Sequence, residues 1–470
     1  MHNHPNTAFD KVIEAMLDRG GRGTSDLLFV VGQPPQVELN GVLTPVEIPE
    51  YLPHLTPEQT KNFAEMLVST NERLAKDLRE DGSCDTSYAL SDKARFRVNV
   101  FRQYGRHAIV MRRLSTEIPS LEGLGLPAVF KEIIKEKTGI IFCTGATGSG
   151  KTTTLAAMLN EINQQSRVHV VTLEDPVEFL HPQKKATFSQ RELGRDYSSF
   201  SMGLRAALRQ APKVILVGEI RDRETMEIAL TAAETGHVVY STLHTISAGQ
   251  SINRIVGMFE QGEQAVVRER LAATLRYIVS QRLAPKVGGG RQLLTEIVGS
   301  NLRTREIVQL GESDARNMHA AIEAGVALGW HSFEQDIVQH FETGNITEET
   351  AMLYSVNKPV MRQQLDLSRK RMGIDDSTPH GFKLDIREPV SVFGKPGPPP
   401  IPNQRGPLPP LPPPPPSQQP SPSQTAQPPS QMPQPPLPLN LKLAPDVKPP
   451  PPPMPPPPMH HTAVQPTRKA

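Results

Sequence analysis

Eight consecutive residues, Gly145, Ala146, Thr147, Gly148, Ser149, Gly150, Lys151 and Thr152, fit the pattern GxxxxGK[ST]. They stand between an apolar, β-rich run at 139–143 and a helical pattern that starts at Thr152. In that setting glycines let backbone N–H groups point at phosphate oxygens, and the following helix presents its positive end. Lys151 is suited to neutralise β- and γ-phosphates, and the Thr152 hydroxyl to ligate Mg²⁺. The chemistry implied is the binding of a nucleoside triphosphate.

Three more groups could act on it. The run 214–219, Val-Ile-Leu-Val-Gly-Glu, is an apolar strand ending in a carboxylate, and a strand's carboxyl end is where a parallel sheet presents ligand groups. Glu219 is thereby placed to orient or deprotonate an attacking water, with a solvated helix cap as the plainer alternative. Glu174, Asp175 and Glu178 follow a strand at 168–173 and crowd the same edge, where they would repel one another without a cation or arginines nearby. His237 and His244 bracket a further strand, 238–241, although isolated histidines are more often structural.

These groups need a framework that brings strand ends together. The runs 139–143, 168–173, 214–217 and 238–241 are short and β-rich, suited to strands covered on both faces, with amphipathic helices between them. Residues 128–375 therefore read as an α/β domain with a largely parallel sheet, turning mostly helical from about 261 to 372. Residues 1–114 read as a small α+β domain. It opens with an amphipathic helix on Phe9, Val12, Ile13, Met16 and Leu17, stopped by Gly20 and Gly21. Strands are expected at 27–31, 36–39 and 42–48, the last two flanking an Asn40-Gly41 hairpin signal. A polar helix at 57–81 and an alternating strand pair, 95–101 with 107–113, complete it. Residues 115–127 form the linker.

Composition narrows the field. The 470 residues carry 51 Lys and Arg against 49 Asp and Glu, a formal charge of +2, so no global basic field argues for nucleic acid. Two cysteines, Cys84 and Cys143, make neither a disulfide framework nor a zinc cluster and read as buried thiols. No apolar run approaches the roughly 20 residues that span a bilayer, and the start has neither a basic nor an apolar export region. A cytoplasmic protein that meets a membrane only through partners is expected. About two-thirds of the 48 prolines fall after Gly394, so 376–470 reads as a disordered, polyproline-like tail with PxxP segments that an aromatic groove could hold.

Four segments, in order, resemble the PilT/PilU retraction motors within the secretion ATPases: GATGSGKTTTLAAML at 145–159, TLEDPVEF at 172–179, VILVGEIRD at 214–222 and TAAETGHVVYSTLHT at 231–245. SDLLFVVGQPP at 25–35 and ARFRVNVF at 94–101 extend the likeness, which runs from about residue 9 to about 370. It implies a PAS-like N-terminal domain and a RecA-like motor domain, assembled as a hexameric ring of this chain alone or with a paralogue. It further implies ATP hydrolysis coupled to pilus retraction, at the inner face of the cytoplasmic membrane and on a pilus platform protein. By position, residues 145–152 with Thr153 hold the nucleotide, and Thr152 and Glu178 stand at Mg²⁺. Glu178 is the Asp-box acid, Glu219 the Walker B catalytic glutamate, and His237 and His244 the His-box pair. Arg97 and Arg112 are the N-terminal arginines directed at the nucleotide.

Residues 301–307, Asn-Leu-Arg-Thr-Arg-Glu-Ile, depart from the AIRNLI-like element of PilT-type motors, and 328–335 look closer to the PilU branch. Two alternatives stay open: an assembly or secretion ATPase of type II or type IV systems, and a nucleotide-binding scaffold that recruits partners through its proline-rich tail.

Overall fold

The computed structural model describes residues 7–373, apart from positions 40, 52, 70, 92 and 116. The chain divides into a unit Met1–Gly381 and a unit Phe382–Ala470, and all described residues belong to the first. The tail expected at 376–470 and the Asn40 half of the hairpin signal lie outside the described residues.

Helix α1 (Ala8–Gly20) starts at a reciprocal cap, in which the Thr7 hydroxyl accepts from the Asp10 N–H and the Asp10 carboxylate from the Thr7 N–H. Its Phe9, Ile13 and Met16 enter the core of a sheet built from β1 (Thr24–Phe29), β2 (Gln36–Leu39), β3 (Val42–Pro45), β4 (Ser83–Leu90), β5 (Ala94–Gln103) and β6 (Arg106–Leu114). The strand order is β3-β2-β1-β6-β5-β4, every pair antiparallel. Helices α2 (Pro57–Val68) and α3 (Glu72–Glu80) replace the single helix expected at 57–81. The break comes because the Asn71 side chain accepts from the Arg73 and Leu74 amides and starts a new helix. Strand β4 was not anticipated, since only Cys84, Tyr88 and Leu90 of its polar run are buried. On β5 the alternation is strict: Ala94, Phe96, Val98 and Val100 face the core, leaving Arg95 and Arg97 on the opposite face.

The second sheet follows the short helix α4 (Phe130–Ile133). Its strands β7 (Gly139–Thr144), β8 (His169–Glu174), β9 (Thr187–Glu192), β10 (Val214–Val217) and β11 (Val238–Leu243) are parallel. Between them run α5 (Lys151–Gln165), α6 (Phe200–Ala207) and α7 (Arg223–Glu234). Helices α8 (Ala248–Val256) and α9 (Gln264–Thr274) then lead to β12 (Leu275–Pro285) and β13 (Arg291–Gly299). The order is β13-β12-β7-β11-β10-β8-β9, with β12 parallel to β7 and antiparallel to β13. Alternate residues enter two cores: Ile140, Phe142, Ile215 and Val217 on one face, Ile141, Cys143, Val214 and Leu216 on the other. Burying such side chains contributes roughly 1.5–3 kcal/mol each, which is why these strands read as unbroken apolar runs. Both cysteines are free and buried.

The stretch 261–372 is mostly helical, as expected, but it also holds the β12–β13 hairpin, which the sequence does not mark. Residues 278–281, Ile-Val-Ser-Gln, are all buried because β12 lies inside the sheet, so no period-2 pattern marks the strand. Gly288, Gly289 and Gly290, all at positive φ, make the turn. Helices α10 (Leu302–Leu310), α11 (Met318–Glu323), α12 (Phe333–Glu342), α13 (Glu348–Tyr354) and α14 (Lys358–Met372) follow. Phe333, Ile337, Met361 and Leu365 pack with Ala284 and Leu294 of the hairpin. Among the described residues no helix is long and apolar enough to cross a membrane.

Candidate nucleotide-binding site

Parallel strands deliver their carboxyl ends to one edge, and there β7 runs into the loop 145–150 that opens α5. Gly145 sits at φ 146°, and a Cβ on it would meet the Gln281 carbonyl oxygen and Ser149 Oγ at 2.5 Å. Gly150 caps α5 at φ 91° and brings no side chain to its first amides, so they stay available to an anion. Lys151 is buried and its Nζ donates to the carbonyls of Gly145 (2.8 Å) and Ala146 (3.0 Å). Burial pulls its pKa below the usual range, against the nearby Glu219 and Glu178 charges. Ser149 Oγ is buried without a hydrogen-bond partner in the same loop. A glycine-rich cradle, a buried ammonium and an unpartnered hydroxyl together fit a polyphosphate.

Glu178 lies beside the Thr152 hydroxyl; burial raises its pKa, and Arg97, Thr152 and Lys151 pull it back. These two oxygen groups are the hard donors that Mg²⁺ takes. Among the described residues no cluster of three or more His, Cys, Asp or Glu could hold a metal by itself. The three Asp-box acids have different partners. Burial pushes Glu174 up to about 7, and its carboxylate turns to Thr172 Oγ1 (2.7 Å) and Gln190 Nε2 (3.2 Å). Asp175 and Glu178 instead feel the Arg97 charge.

Glu219 follows β10 and is largely buried; its Oε2 meets Arg221 Nε at 2.7 Å and His244 Nε2 at 3.6 Å. Burial, with the Lys151 charge, holds His244 below its ordinary range, so the imidazole is neutral near pH 7. His237 is at the other end of β11, where Nδ1 hydrogen-bonds the Ala232 carbonyl at 3.0 Å. The two histidines are therefore not brought together in this chain. The two arginines stand side by side, but only Arg97 acts on the Asp-box acids. Arg97 and Arg112 are cross-strand neighbours, but Arg112 Nε pairs with Asp26 Oδ1 at 3.0 Å.

Residues 62–336 match the type II/IV secretion system protein family. The chain belongs to this family. Over 341 residues this secretion ATPase is 38% identical to the type IV pilus retraction ATPase PilT of Pseudomonas aeruginosa, covering 72% of this chain and 96% of that protein. The type IV pilus ATPase PilU of the same organism is 35% identical over 382 residues, 81% of this chain and 97% of that one. A crystal structure of the pilus retraction motor PilT with bound ADP superposes with a TM-score of 0.67 at 38% identity, over 76% of this chain and 99% of that chain. The secretion ATPase here is thus PilT/PilU-like across both sheets.

Sequence reasoning missed four residues at the site. Arg95 donates to the carbonyls of Val177 (2.9 Å) and Glu178 (3.4 Å). It stands two positions before Arg97 on one strand, so period-2 alternation was the available signal. Glu192 and Gln281, whose Nε2 donates to Thr154 Oγ1 at 2.8 Å, come from β9 and β12, strands that were not anticipated. Arg221 lies two residues after Glu219 in the 214–222 segment, where its type alone does not show that it pairs with that carboxylate.

Proposed function

We propose that the chain hydrolyses ATP to ADP and phosphate and uses the cycle to drive type IV pilus retraction. One observation carries the reading. Lys151, the Thr152–Glu178 pair and Glu219 gather at the carboxyl ends of β7, β8 and β10 in a chain whose near-full-length relatives are named as pilus motors. In the reaction a water oxygen attacks the γ-phosphorus, the bond to the ADP oxygen breaks, and Glu219 takes the water's proton. The residues 145–153 hold the phosphates. Thr152 and Glu178 would hold Mg²⁺, which neutralises phosphate charge. His244 keeps Glu219 oriented, and Arg97 supplies the guanidinium that stabilises the transferred phosphoryl group. Arg112 reaches the site only when its pair with Asp26 opens.

The same reading makes 1–114 a PAS-like domain, 115–127 a linker and 128–375 a RecA-like motor. It assembles them as a hexamer, alone or with a paralogue, in the cytoplasm against a membrane-embedded pilus platform protein. The proline-rich tail is a spacer or a PxxP docking segment. Deleting the gene tests the function: surface pili should persist and fail to retract. Loss of surface pili would overturn the reading in favour of an assembly ATPase, and full-length protein without ATPase activity would favour a scaffold.

A further inference from the structure

The Asp-box loop is gripped by both peptide groups of one residue. The Val177 N–H donates to Glu192 Oε2 at 3.3 Å, and the Val177 carbonyl accepts from Arg95 Nη2 at 2.9 Å. Arg95 Nη1 also reaches the carbonyl of Glu178, the residue whose carboxylate lies beside the Thr152 hydroxyl at the head of α5. Glu192 belongs to β9, at the edge of the parallel sheet, and is buried. Its second oxygen accepts from Ser87 Oγ of β4 at 2.7 Å, and its N–H donates to Asp196 Oδ2 at 2.7 Å. Arg95 and Ser87 lie on neighbouring strands of the antiparallel sheet, and Asn71, the cap of α3, donates to the Gly194 carbonyl at 3.0 Å. One face of the N-terminal sheet therefore holds Glu192 and the backbone on either side of the Glu178 side chain, and the cap of α3 holds the turn after Glu192.

We infer that Arg95 and Glu192 are positioning residues that make the presentation of Glu178 to Thr152 depend on where the N-terminal sheet sits. With the sheet seated, Val177 has a fixed donor and a fixed acceptor, and the adjoining Glu178 carboxylate is aimed at the head of α5. With the sheet displaced, Ser87 leaves Glu192 and Arg95 leaves both carbonyls, so the loop is released without any change in the 145–152 cradle. Such a linkage lets sheet position gate turnover rather than nucleotide capture, because binding and chemistry draw on different parts of the site. A contact serving only to glue two parts of the fold would change melting temperature and leave the turnover of folded protein alone.

The inference rests on the reading of Glu178 as part of the ATPase site, and the experiment separates the two. Arg95→Ala, Arg95→Lys, Ser87→Ala and Glu178→Gln are prepared in the full chain. Steady-state kcat, the Kd of a fluorescent ADP analogue, and amide hydrogen exchange over 175–180 and 145–152 are compared. Arg95→Ala should lower kcat ~10-fold or more with Kd within about twofold, the pattern of a lost outer contact that orients a working group. Exchange should rise over 175–180 and stay unchanged over 145–152. Arg95→Lys should restore part of the rate, and Ser87→Ala, which spares Arg95 and guards against misfolding of its variant, should show the same pattern more weakly. Unchanged kcat and unchanged exchange over 175–180 in both Arg95→Ala and Ser87→Ala, with Glu178→Gln impaired, overturns the inference alone. Normal turnover by Glu178→Gln overturns the site reading and, with it, the inferred consequence of Arg95 for the rate.

Discussion

The two sheets gather functional groups in different ways. In the larger one, six strands run parallel, so their carboxyl ends share one edge, and the loop after β7, Glu178, Glu219 and His244 come together there whatever the distances between them in sequence. The smaller sheet is antiparallel, its strand ends alternate, and no edge collects them. What it offers is a face, on which Arg95 and Arg97 stand two apart on β5 and Arg112 lies across from Arg97. An edge carries chemistry by topology alone; a face carries it only when something is docked against it. The larger sheet should therefore tolerate no loss at its edge, whereas residues on the smaller sheet should matter in proportion to their contact with the Asp-box loop.

Breaking the edge should have the largest effect. Lys151→Ala removes the ammonium from the cradle, and nucleotide affinity should fall roughly 100-fold, the scale of lost charge-assisted hydrogen bonds. Equilibrium titration with a fluorescent nucleotide measures it, and affinity near that of the unaltered chain would break the account of the cradle. The face comes next. Arg97→Ala should lower kcat roughly 100-fold, as removal of a charge-stabilising donor does. Arg112→Ala should cost less than about fivefold, since its guanidinium is largely exposed and is paired with Asp26 rather than with the Asp-box acids. Equal losses in the two variants would mean that Arg112 leaves Asp26 during turnover.

The strand β11 provides an internal control, with one histidine at each end. His244→Ala should reduce kcat about 10-fold by freeing Glu219, while His237→Ala should stay within about twofold. Steady-state rates decide between them, and a reversed order would place the chemistry at the wrong edge.

The smallest effect expected is on stability. His181 is buried and stacked on Phe188 at 4.5 Å, and burial pushes its pKa down to about 4. An unfolded histidine titrates near 6.5, so between these values the unfolded chain holds more protons and stability falls as pH drops through that window. His181→Gln should remove this loss, and its melting temperature should decline less than that of the unaltered chain between pH 7.5 and pH 5, by a few degrees. Parallel declines would show that His181 titrates normally in the fold.

How much was legible in advance follows the same division. Gly145 to Thr152, Glu178, Glu219 and the strands behind them were readable because a fully buried parallel strand leaves an unbroken apolar run and because a phosphate loop needs particular residues at particular spacing. The strands β4, β9 and β12 were not readable. β4 and β9 are edge strands with few buried apolar residues, and β12 buries Ser280 and Gln281 beside Ile278 and Val279. With β9 and β12 went Glu192 and Gln281. Arg95 was passed over for Arg97 because alternation says which face a residue shares and not which of two neighbours meets a loop folded from elsewhere. The separation of His237 from His244 follows from strand length alone, since six residues of β11 lie between them.

The central claim is that Glu219, set at the end of β10 beside His244 and the Lys151 cradle, is the group that activates water. Glu219→Gln keeps the size of the side chain and removes the proton acceptor. Measured side by side on the intact assembly, nucleotide affinity should stay within about twofold while ATP turnover falls on the order of 10³-fold or more. Turnover by the Glu219→Gln assembly at the rate of the unaltered chain would contradict the account.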